Sequence, residues 1–279
     1  MKFFQIIITL VIFVSCSQPG KQEKSQVNET VSSAIYRQDL QQILDSVQVK
    51  GSVLVYDPQS KRSWSNDFSR CNLGFLPAST FKIVNSIIAL ETGVVENDST
   101  LFSWNGEKRR LPVWEQDLIF RDAFQVSCVP CYQEIARKIG VRRMKEFLDK
   151  LDYGNMVVDS GNIDIFWLEG DSRISMNQQL VFLERLYNAE LPVSERTIRI
   201  IKRMMILEKN TGYTFCGKTG WAVRNGNNTG WFVGYLEKNN QVYYIVTNIE
   251  PLIEFNMDLF PKIRTGISQE AFRRLKIIE

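Results

Sequence analysis

The spacing of apolar residues changes once along the chain, and that change constrains the fold more than any other feature. From about residue 97 to 205 the spacing is mainly helical, and we place helices at 125–139, 141–151, 177–188 and 194–207. Three segments with strand character then follow, at 214–219, 229–236 and 241–248, before a closing helix at 268–278. Because strands and helices are segregated in this way, the order predicts a mixed α/β (α+β) fold.

The residues before position 97 supply the other elements of this fold. We predict a helix over 35–50, a strand over Gly51–Tyr56 and its hairpin partner over Lys61–Ser65. The result is one domain, 35–279, with an antiparallel sheet flanked by an N-terminal and a C-terminal helix. Its α/β part covers about 35–75 and 208–279, and a mostly helical subdomain covers about 76–207.

The first 16 residues, MKFFQIIITLVIFVSC, have the pattern of a secretory signal peptide, with an apolar run shorter than a membrane-spanning helix needs. The end of that run, Phe13-Val-Ser-Cys16, resembles a bacterial lipobox and predicts cleavage before Cys16 and lipidation of its sulfur. Residues 17–34 are polar and predict a flexible linker. We therefore expect an exported, periplasmic lipoprotein with a membrane anchor; plain secretion is the alternative.

Composition excludes several classes of function. The net charge is only +3, so we expect no nucleic-acid partner. The chain contains no histidine, which excludes a Ser-His-Asp triad, a Cys-His dyad and any histidine-containing zinc site. An exported chain can form disulfides. Nevertheless, we interpret Cys128-x-x-Cys131 as buried thiols rather than a redox or metal centre, and we predict no metal site.

The strongest candidate for chemistry is Pro77-Ala-Ser-Thr-Phe-Lys82. Pro77 suits the first turn of a helix, so Ser79 should lie near a helix N-terminus, where free backbone N–H groups favour a developing oxyanion. Lys82 is three residues further on, on the same helix face. Burial lowers the pKa of a lysine, so a desolvated Lys82 can act as the base that a serine nucleophile needs. An ordinary surface pair is the alternative for an isolated Ser-x-x-Lys.

Three further motifs follow in a definite order. They are Ser127-x-Val129, Tyr153-Gly-Asn155 and Lys218-Thr-Gly220. Ser-x-x-Lys with Lys-Thr-Gly is typical of the penicillin-recognising serine enzymes. With Ser-x-Val and Tyr-Gly-Asn added, the chain resembles the class D β-lactamases, the oxacillinases, from about Ile35 to the C-terminus.

The resemblance implies a reaction and a set of roles around Lys82. Ser79 is expected to attack the β-lactam amide of penicillin-type antibiotics and become acylated. Lys82 is expected to react with carbon dioxide or bicarbonate to give a carboxylated lysine, the general base for acylation and deacylation. Trp167 is expected to donate its indole N–H to that carbamate, and Val129 to keep the lysine dry. The alternative for Trp167 is an ordinary core tryptophan.

The same resemblance assigns the rest of the site. Ser127 is expected to relay a proton to the departing nitrogen, with Lys218 supplying positive charge. Thr219 and Arg264 are expected to hold the substrate carboxylate, although Arg264 could instead be a surface arginine. The backbone N–H groups of Ser79 and Trp221 are expected to form the oxyanion hole.

Two other functions share these motifs. A β-lactam sensor domain is acylated and then stalls, and a D,D-peptidase usually has Ser-x-Asn where this chain has Ser127-x-Val129. We therefore expect an antibiotic-resistance enzyme that acts on a small β-lactam without a metal. The sequence leaves open the breadth of its substrates and whether it is a monomer or a homodimer.

Overall fold

A seven-stranded sheet forms the centre of the protein in a computed structural model that describes residues 33–279. The predicted signal peptide, the lipobox with Cys16 and all but the last two residues of the linker lie outside the described residues. The strands are β1 (Ser33–Tyr36), β2 (Val49–Asp57), β3 (Arg62–Ser65), β4 (Leu101–Phe102), β5 (Leu118–Ile119), β6 (Ile206–Lys209), β7 (Thr214–Arg224), β8 (Asn227–Lys238) and β9 (Gln241–Pro251). The sheet order is β1-β3-β2-β9-β8-β7-β6, and β4 pairs separately with β5.

Every neighbouring pair in the large sheet is antiparallel except β1 with β3, which is parallel. The three long strands β7, β8 and β9 are joined by the two-residue turns Asn225-Gly226 and Asn239-Asn240. All four turn residues have positive φ, which asparagine and glycine tolerate better than other residues. These tight turns fix the register that places Lys218 opposite Val233 and Gly220 opposite Trp231.

Helices cover both faces of the sheet. They are α1 (Gln38–Ser46), α2 (Phe68–Cys71), α3 (Lys82–Glu91), α4 (Phe120–Gln125), α5 (Val129–Ile139), α6 (Val141–Leu151), α7 (Met176–Tyr187), α8 (Glu195–Met204) and α9 (Phe260–Arg274). Side chains of β8 alternate between two apolar cores, as a pleated strand requires. Trp231 and Val233 join the core formed with α3 to α8, whereas Phe232 and Leu236 join the core formed with α1 and α9.

This architecture confirms the predicted fold class, an α/β protein with a largely antiparallel sheet, terminal helices and a helical part. Several element bounds were predicted wrongly. The segment 35–50 begins with the end of β1, whose Ile35 and Tyr36 favour strands, and only Gln38–Ser46 is helical. The C-terminal helix begins eight residues earlier than predicted, at Phe260, with Pro261 in its first turn, where a missing N–H costs nothing.

Two further differences lie in the helical part. The predicted helix 125–139 is broken, because Val126, Ser127 and Cys128 separate α4 from α5. The predicted helix 194–207 ends at Met204, and Ile206–Lys209 forms the edge strand β6. Its first residue is Glu195, and Ser194 caps it by accepting the backbone N–H of Thr197. Within the part of the chain that the structure describes, no helix is long and apolar enough to cross a bilayer.

Candidate active site

Ser79 lies in a 3₁₀ turn, Ala78–Phe81, that leads directly into α3. The residue before it, Ala78, has a φ of 50°, a left-handed conformation that a non-glycine residue adopts only when its surroundings hold it. Two contacts hold this turn: the Ala78 N–H donates to the Trp167 carbonyl at 2.8 Å, and the Thr80 hydroxyl donates to the Pro77 carbonyl at 2.6 Å. The serine is thus presented on a fixed and strained turn, as nucleophiles commonly are.

Lys82 is completely buried, and its Nζ donates a hydrogen bond to Ser79 Oγ at 3.0 Å. Burial alone lowers the pKa of Lys82 to about 7 from its ordinary value of 10.5. A substantial fraction of this lysine is therefore neutral near neutral pH, and only a neutral amine can accept a proton or attack an electrophile.

Aromatic side chains surround Lys82. Its Nζ lies 5.1 Å from the centre of the Tyr132 ring, and the neighbouring Phe81 stacks on Trp167 with ring centres 5.5 Å apart. Trp167 is fully buried, yet its indole Nε1 has no hydrogen-bond partner among the described residues. An unpaired buried N–H is costly, so it marks a place where an acceptor is expected.

Ser127 lies at the break between α4 and α5, with a φ of 57°. Its hydroxyl accepts a hydrogen bond of 2.6 Å from Lys218 Nζ. Two distant segments of the chain, a helix junction and a central strand, therefore meet at this oxygen.

Cys128 and Cys131 form a disulfide, so their interpretation as buried thiols was wrong. The two cysteines are three residues apart at the start of α5, with Cα atoms 5.5 Å from each other, so their sulfurs can meet. The other two cysteines of the described chain, Cys71 and Cys216, are free and buried. Burial raises the pKa of the Cys216 thiol to about 11, so it is protonated and unreactive at neutral pH.

Lys218 projects from β7 and is almost completely buried. Burial depresses its pKa well below 10.5, and the positive charges of Lys82 and Arg264 depress it further. Unlike Lys82, it makes two hydrogen bonds to oxygen, to Ser127 Oγ and, at 3.3 Å, to the Thr219 carbonyl. The side chains of Lys218 and Ser127 are therefore placed to exchange a proton.

Gly220 brings β7 close to the nucleophile turn. A Cβ at this position would lie 3.1 Å from the Pro77 carbonyl oxygen and 3.3 Å from the Thr80 backbone nitrogen. This approach brings the strand residue Trp221, predicted to supply an oxyanion-hole N–H, alongside the turn that carries Ser79. The sequence indicated Lys218-Thr-Gly220 as a motif but did not reveal that its glycine lies this close to the nucleophile turn.

Arg264 is buried on α9, which excludes the surface-arginine alternative. Its guanidinium donates to the carbonyls of Gly220 (2.7 Å), Phe260 (3.1 Å) and Pro261 (3.2 Å). These bonds use three of the five N–H groups. Burial lowers its pKa to about 10, and within residues 33–279 it forms no ion pair with a carboxylate. A buried cation with free N–H groups is suited to bind an anion from outside.

The remaining predicted residues lie around this centre. Thr219 and Trp221 are half-buried, and the Trp221 indole donates to Asn228 while its ring packs on Phe260. Val129 is half-buried at the start of α5 and packs against the small apolar cluster that contains Trp114. Val129 thus contacts the Ser127 junction.

A buried hydrogen-bond chain beneath the nucleophile turn was missed at the sequence level. Tyr153 donates to Gln179 at 3.1 Å, and Gln179 donates to the Thr80 hydroxyl at 3.0 Å. Tyr153 opens the Tyr-Gly-Asn motif, so the motif supports the turn from below rather than contacting Ser79. The sequence offered little indication of this hydrogen-bond chain, because Gln179 belongs to no recognisable motif. Its position in the capped helix α7 was the one signal that could have suggested that its side chain is buried.

Within residues 33–279, no group of three or more His, Cys, Asp or Glu side chains is placed to hold a metal ion.

Comparison with known proteins extends over most of the chain. Residues 51–251 match the family described as the penicillin binding protein transpeptidase domain. The β-lactamase OXA-48 of Klebsiella pneumoniae is 40% identical over 229 residues, which cover 82% of this chain and 84% of that protein. OXA-10 of Pseudomonas aeruginosa is 42% identical over 224 residues, 79% of this chain and 84% of that one. A solved class D β-lactamase from Nostoc, YbXI, superposes with a TM-score of 0.81 at 44% identity, covering 85% of this chain and 98% of the other.

Proposed function

The chain belongs to the class D serine β-lactamases of the penicillin-binding transpeptidase family, and from that membership we propose that it hydrolyses the β-lactam amide of penicillin-type antibiotics through an acyl-enzyme on Ser79. The observation that carries the proposal is the pair formed by Ser79 and a fully buried Lys82 with a pKa of about 7. No histidine is available to activate the serine, so a lysine with a lowered pKa has to do so.

Acylation follows from the positions of three side chains. Ser79 Oγ attacks the lactam carbonyl carbon, and its proton leaves on the side where the Lys82 side chain lies at 3.0 Å. The carbonyl oxygen becomes negative and is stabilised by the backbone N–H groups of Ser79 and Trp221. The amide C–N bond then breaks as the Ser127 hydroxyl gives its proton to the nitrogen. Lys218 Nζ, 2.6 Å from that hydroxyl, replaces the proton.

The surroundings of Lys82 fit a carbamate formed with carbon dioxide. The lysine is buried enough to be partly neutral, and only a neutral amine attacks carbon dioxide. The unpaired indole Nε1 of Trp167 is a donor suited to one carbamate oxygen, since it belongs to the aromatic cluster around the nucleophile turn. A carbamate at this position supplies a general base for both acylation and deacylation.

Arg264 and Thr219 are suited to bind the carboxylate that penicillin-type substrates carry. The Arg264 guanidinium is fixed by three carbonyls and retains N–H groups for an anion. Because Arg264 is already desolvated, the interaction loses little energy to rearrangement when the substrate arrives.

We further propose that the protein is exported and anchored through Cys16, so that it meets β-lactams in the periplasm and confers resistance to them. The support is the leader pattern of residues 1–16. Mass spectrometry of the membrane fraction, compared between wild type and Cys16→Ala, tests the anchor. A variant that stays in the membrane fraction as strongly as wild type would contradict it.

The test of the function is time-resolved hydrolysis of a chromogenic β-lactam, with and without added bicarbonate, against Ser79→Ala as the inactive control. Sustained turnover that bicarbonate increases supports both the hydrolase and the carboxylated lysine. Sustained turnover indifferent to bicarbonate, in carbon dioxide-depleted buffer, would retain the hydrolase and reject the carbamate. A single stoichiometric burst that leaves Ser79 acylated would overturn the hydrolase in favour of a sensor or D,D-peptidase.

A further inference from the structure

The disulfide Cys128–Cys131 begins one residue after Ser127, where α5 starts. Cys128 is the N-cap of α5, and its sulfur accepts the backbone N–H of Cys131 at 3.3 Å. Cys128 is also buried and packs with Trp114 and Ala123. The sulfur bridge therefore ties the residue that follows Ser127 to the first turn of a rigid helix.

The backbone of Ser127 needs such a tie. Its φ of 57° is left-handed, a conformation that is unfavourable for a serine and persists only when neighbouring contacts enforce it. On the side of α4, the Ser127 and Cys128 N–H groups donate to the carbonyls of Phe124 (3.2 Å) and Ala123 (2.9 Å). On the side of α5, Cys128 is connected to the helix as its N-cap and through the disulfide to Cys131.

The position of the Ser127 hydroxyl matters because a proton passes through it. It lies 2.6 Å from Lys218 Nζ, and a displacement of 1 Å or so at a proton-transfer group can reduce a rate by about 10²-fold. A relaxation of Ser127 toward an ordinary right-handed φ would turn its side chain away from β7.

We propose that the Cys128–Cys131 disulfide is a positioning element for Ser127, and that opening it with a dithiol reductant slows the acylation of Ser79. This inference rests on the proposed function, since it assigns the disulfide to the proton relay of that same reaction. It also makes the enzyme sensitive to the redox state of its surroundings.

The two sulfurs differ in access. Both cysteines line an open surface cavity of about 250 Å³, but Cys131 is half-buried whereas Cys128 is only 1% exposed. A reductant is therefore expected to attack Cys131 Sγ, because the accessible sulfur of a disulfide reacts first. The Cys128 sulfur leaves as a thiolate at the N-terminus of α5, where the Cys131 N–H and the helix dipole stabilise negative charge.

The disulfide is reduced in two successive thiol–disulfide exchanges. A thiolate of the dithiol attacks Cys131 Sγ, the Cys128–Cys131 bond breaks, and a mixed disulfide forms at Cys131. The second thiolate of the reductant then attacks the reductant's own sulfur and releases Cys131 as a thiolate. Two electrons pass to the protein, the dithiol becomes its disulfide, and each protein sulfur takes up a proton according to pH.

The effect should be confined to acylation, because Ser127 donates its proton to the lactam nitrogen and has no assigned part in deacylation. We expect the second-order acylation rate of fully reduced protein to fall about tenfold. The deacylation rate of pre-formed acyl-enzyme should stay within about twofold of the oxidised value. A merely structural disulfide would lower thermal stability without separating the two steps.

The experiment compares oxidised and dithiothreitol-reduced protein, both produced from the full sequence and kept free of oxygen. Mass spectrometry after acid quench verifies a gain of two thiols, and stopped-flow single turnovers give the two rates separately. Far-UV circular dichroism verifies that the reduced protein remains folded. A reduced, folded protein that acylates as fast as the oxidised one would overturn the proposal, while continued turnover in both states would leave the proposed hydrolase intact.

Two variants separate the bridge from the cap. Cys128→Ala with Cys131→Ala should acylate slowly and ignore dithiothreitol. Cys128→Ser with Cys131→Ala keeps an N-cap oxygen without a covalent bridge. If the bridge positions Ser127, this second variant is as slow as the first. If it recovers the oxidised rate, the cap rather than the disulfide positions Ser127, and the proposal fails.

Discussion

Lys82 and Lys218 are both buried beside Ser79, yet their surroundings differ. Lys82 makes its one described side-chain hydrogen bond to Ser79 and is otherwise enclosed by rings such as Tyr132, so burial alone lowers its pKa to about 7. Lys218 donates to two oxygens and lies near other positive charges, which add to the effect of its burial.

The difference separates two tasks that a histidine performs alone in other serine enzymes. A lysine in an apolar cage can be neutral and reactive toward Ser79, whereas Lys218, although its pKa is also depressed, is bonded to the Ser127 hydroxyl and can exchange a proton with that oxygen. Substitutions can therefore be chosen to change the surroundings of one of these lysines and leave the other intact.

The largest effect should come from Lys82→Ala. Removing the amine deletes both the base and the site of carboxylation, so we expect turnover to fall about 10³-fold or more, with no rescue by bicarbonate. Steady-state hydrolysis of a chromogenic β-lactam measures it, and Lys145→Ala, an exposed lysine on α6, is the matched control. Full activity in Lys82→Ala would remove this lysine from the mechanism and end the contrast between the two regions.

The next largest effect should come from substitutions in the hydrogen-bonded pair of Ser127 and Lys218. Ser127→Ala and Lys218→Ala should each lower the acylation rate about 10²-fold, because each breaks the 2.6 Å relay to the leaving nitrogen. Since they share one hydrogen bond, the double variant should lose little more than either single variant. Stopped-flow acylation of all four proteins gives the cycle. Effects that multiply would mean that the two residues act independently.

The third prediction concerns the contacts that hold the Arg264 side chain in position. A Cβ at Gly230 would lie 2.7 Å from Phe260 Cζ and 3.0 Å from Arg264 Cδ, so Gly230→Ala must move the Phe260 ring and press on the Arg264 side chain. We expect KM for carboxylate-bearing substrates to rise about tenfold with kcat largely kept, because only binding is disturbed.

The control for this substitution is Gly266→Ala on the same helix, α9. Its Cβ meets nothing within 4 Å, and alanine in a helix is about 1 kcal/mol more favourable than glycine. Gly266→Ala should therefore raise the melting temperature and leave KM unchanged. If Gly230→Ala also leaves KM unchanged, the position of Arg264 does not govern substrate binding.

The sequence was informative about chemistry and less so about the geometry that supports it. Motif spacing pointed to Ser79, Lys82, Ser127 and Lys218. The structure joins them as two hydrogen-bonded pairs, Lys82 with Ser79 and Lys218 with Ser127. Each of these residues belongs to a short motif, so each can be recognised from the sequence alone. Arg264 was placed before the last helix but lies within it, because a proline in a first turn is an ambiguous boundary signal.

The features that could not be predicted from the sequence depend on contacts between segments that are far apart along the chain. The left-handed Ser127 and the disulfide after it appeared as the interior of a continuous helix, because apolar spacing persists across the break. Gly220 and Gly230 owe their identity to backbone and side chains far away in the sequence, which no local pattern encodes. The chain from Tyr153 through Gln179 likewise exists only after folding.

The smallest effect is on stability and follows from the pKa of Lys82. Between about pH 7 and 10.5 the unfolded chain binds a proton at Lys82 that the folded protein does not. The contribution of this lysine to the free energy of unfolding therefore rises with pH, by about 1.4 kcal/mol per unit, and is flat below pH 7.

Lys82→Met keeps the length of the side chain and removes this titration. In carbon dioxide-free buffer, the stability of wild type relative to Lys82→Met should rise between pH 8 and 9 by about 1.4 kcal/mol, measured by urea unfolding. Lys145→Met, at an exposed position on α6, is the control for replacing a lysine by methionine. A flat difference for Lys82→Met would mean that the buried lysine keeps its proton, since only a neutral Lys82 produces the slope. The distinction between a lysine that acts on Ser79 as a neutral amine and a lysine that exchanges a proton with Ser127 would then fail at its first member.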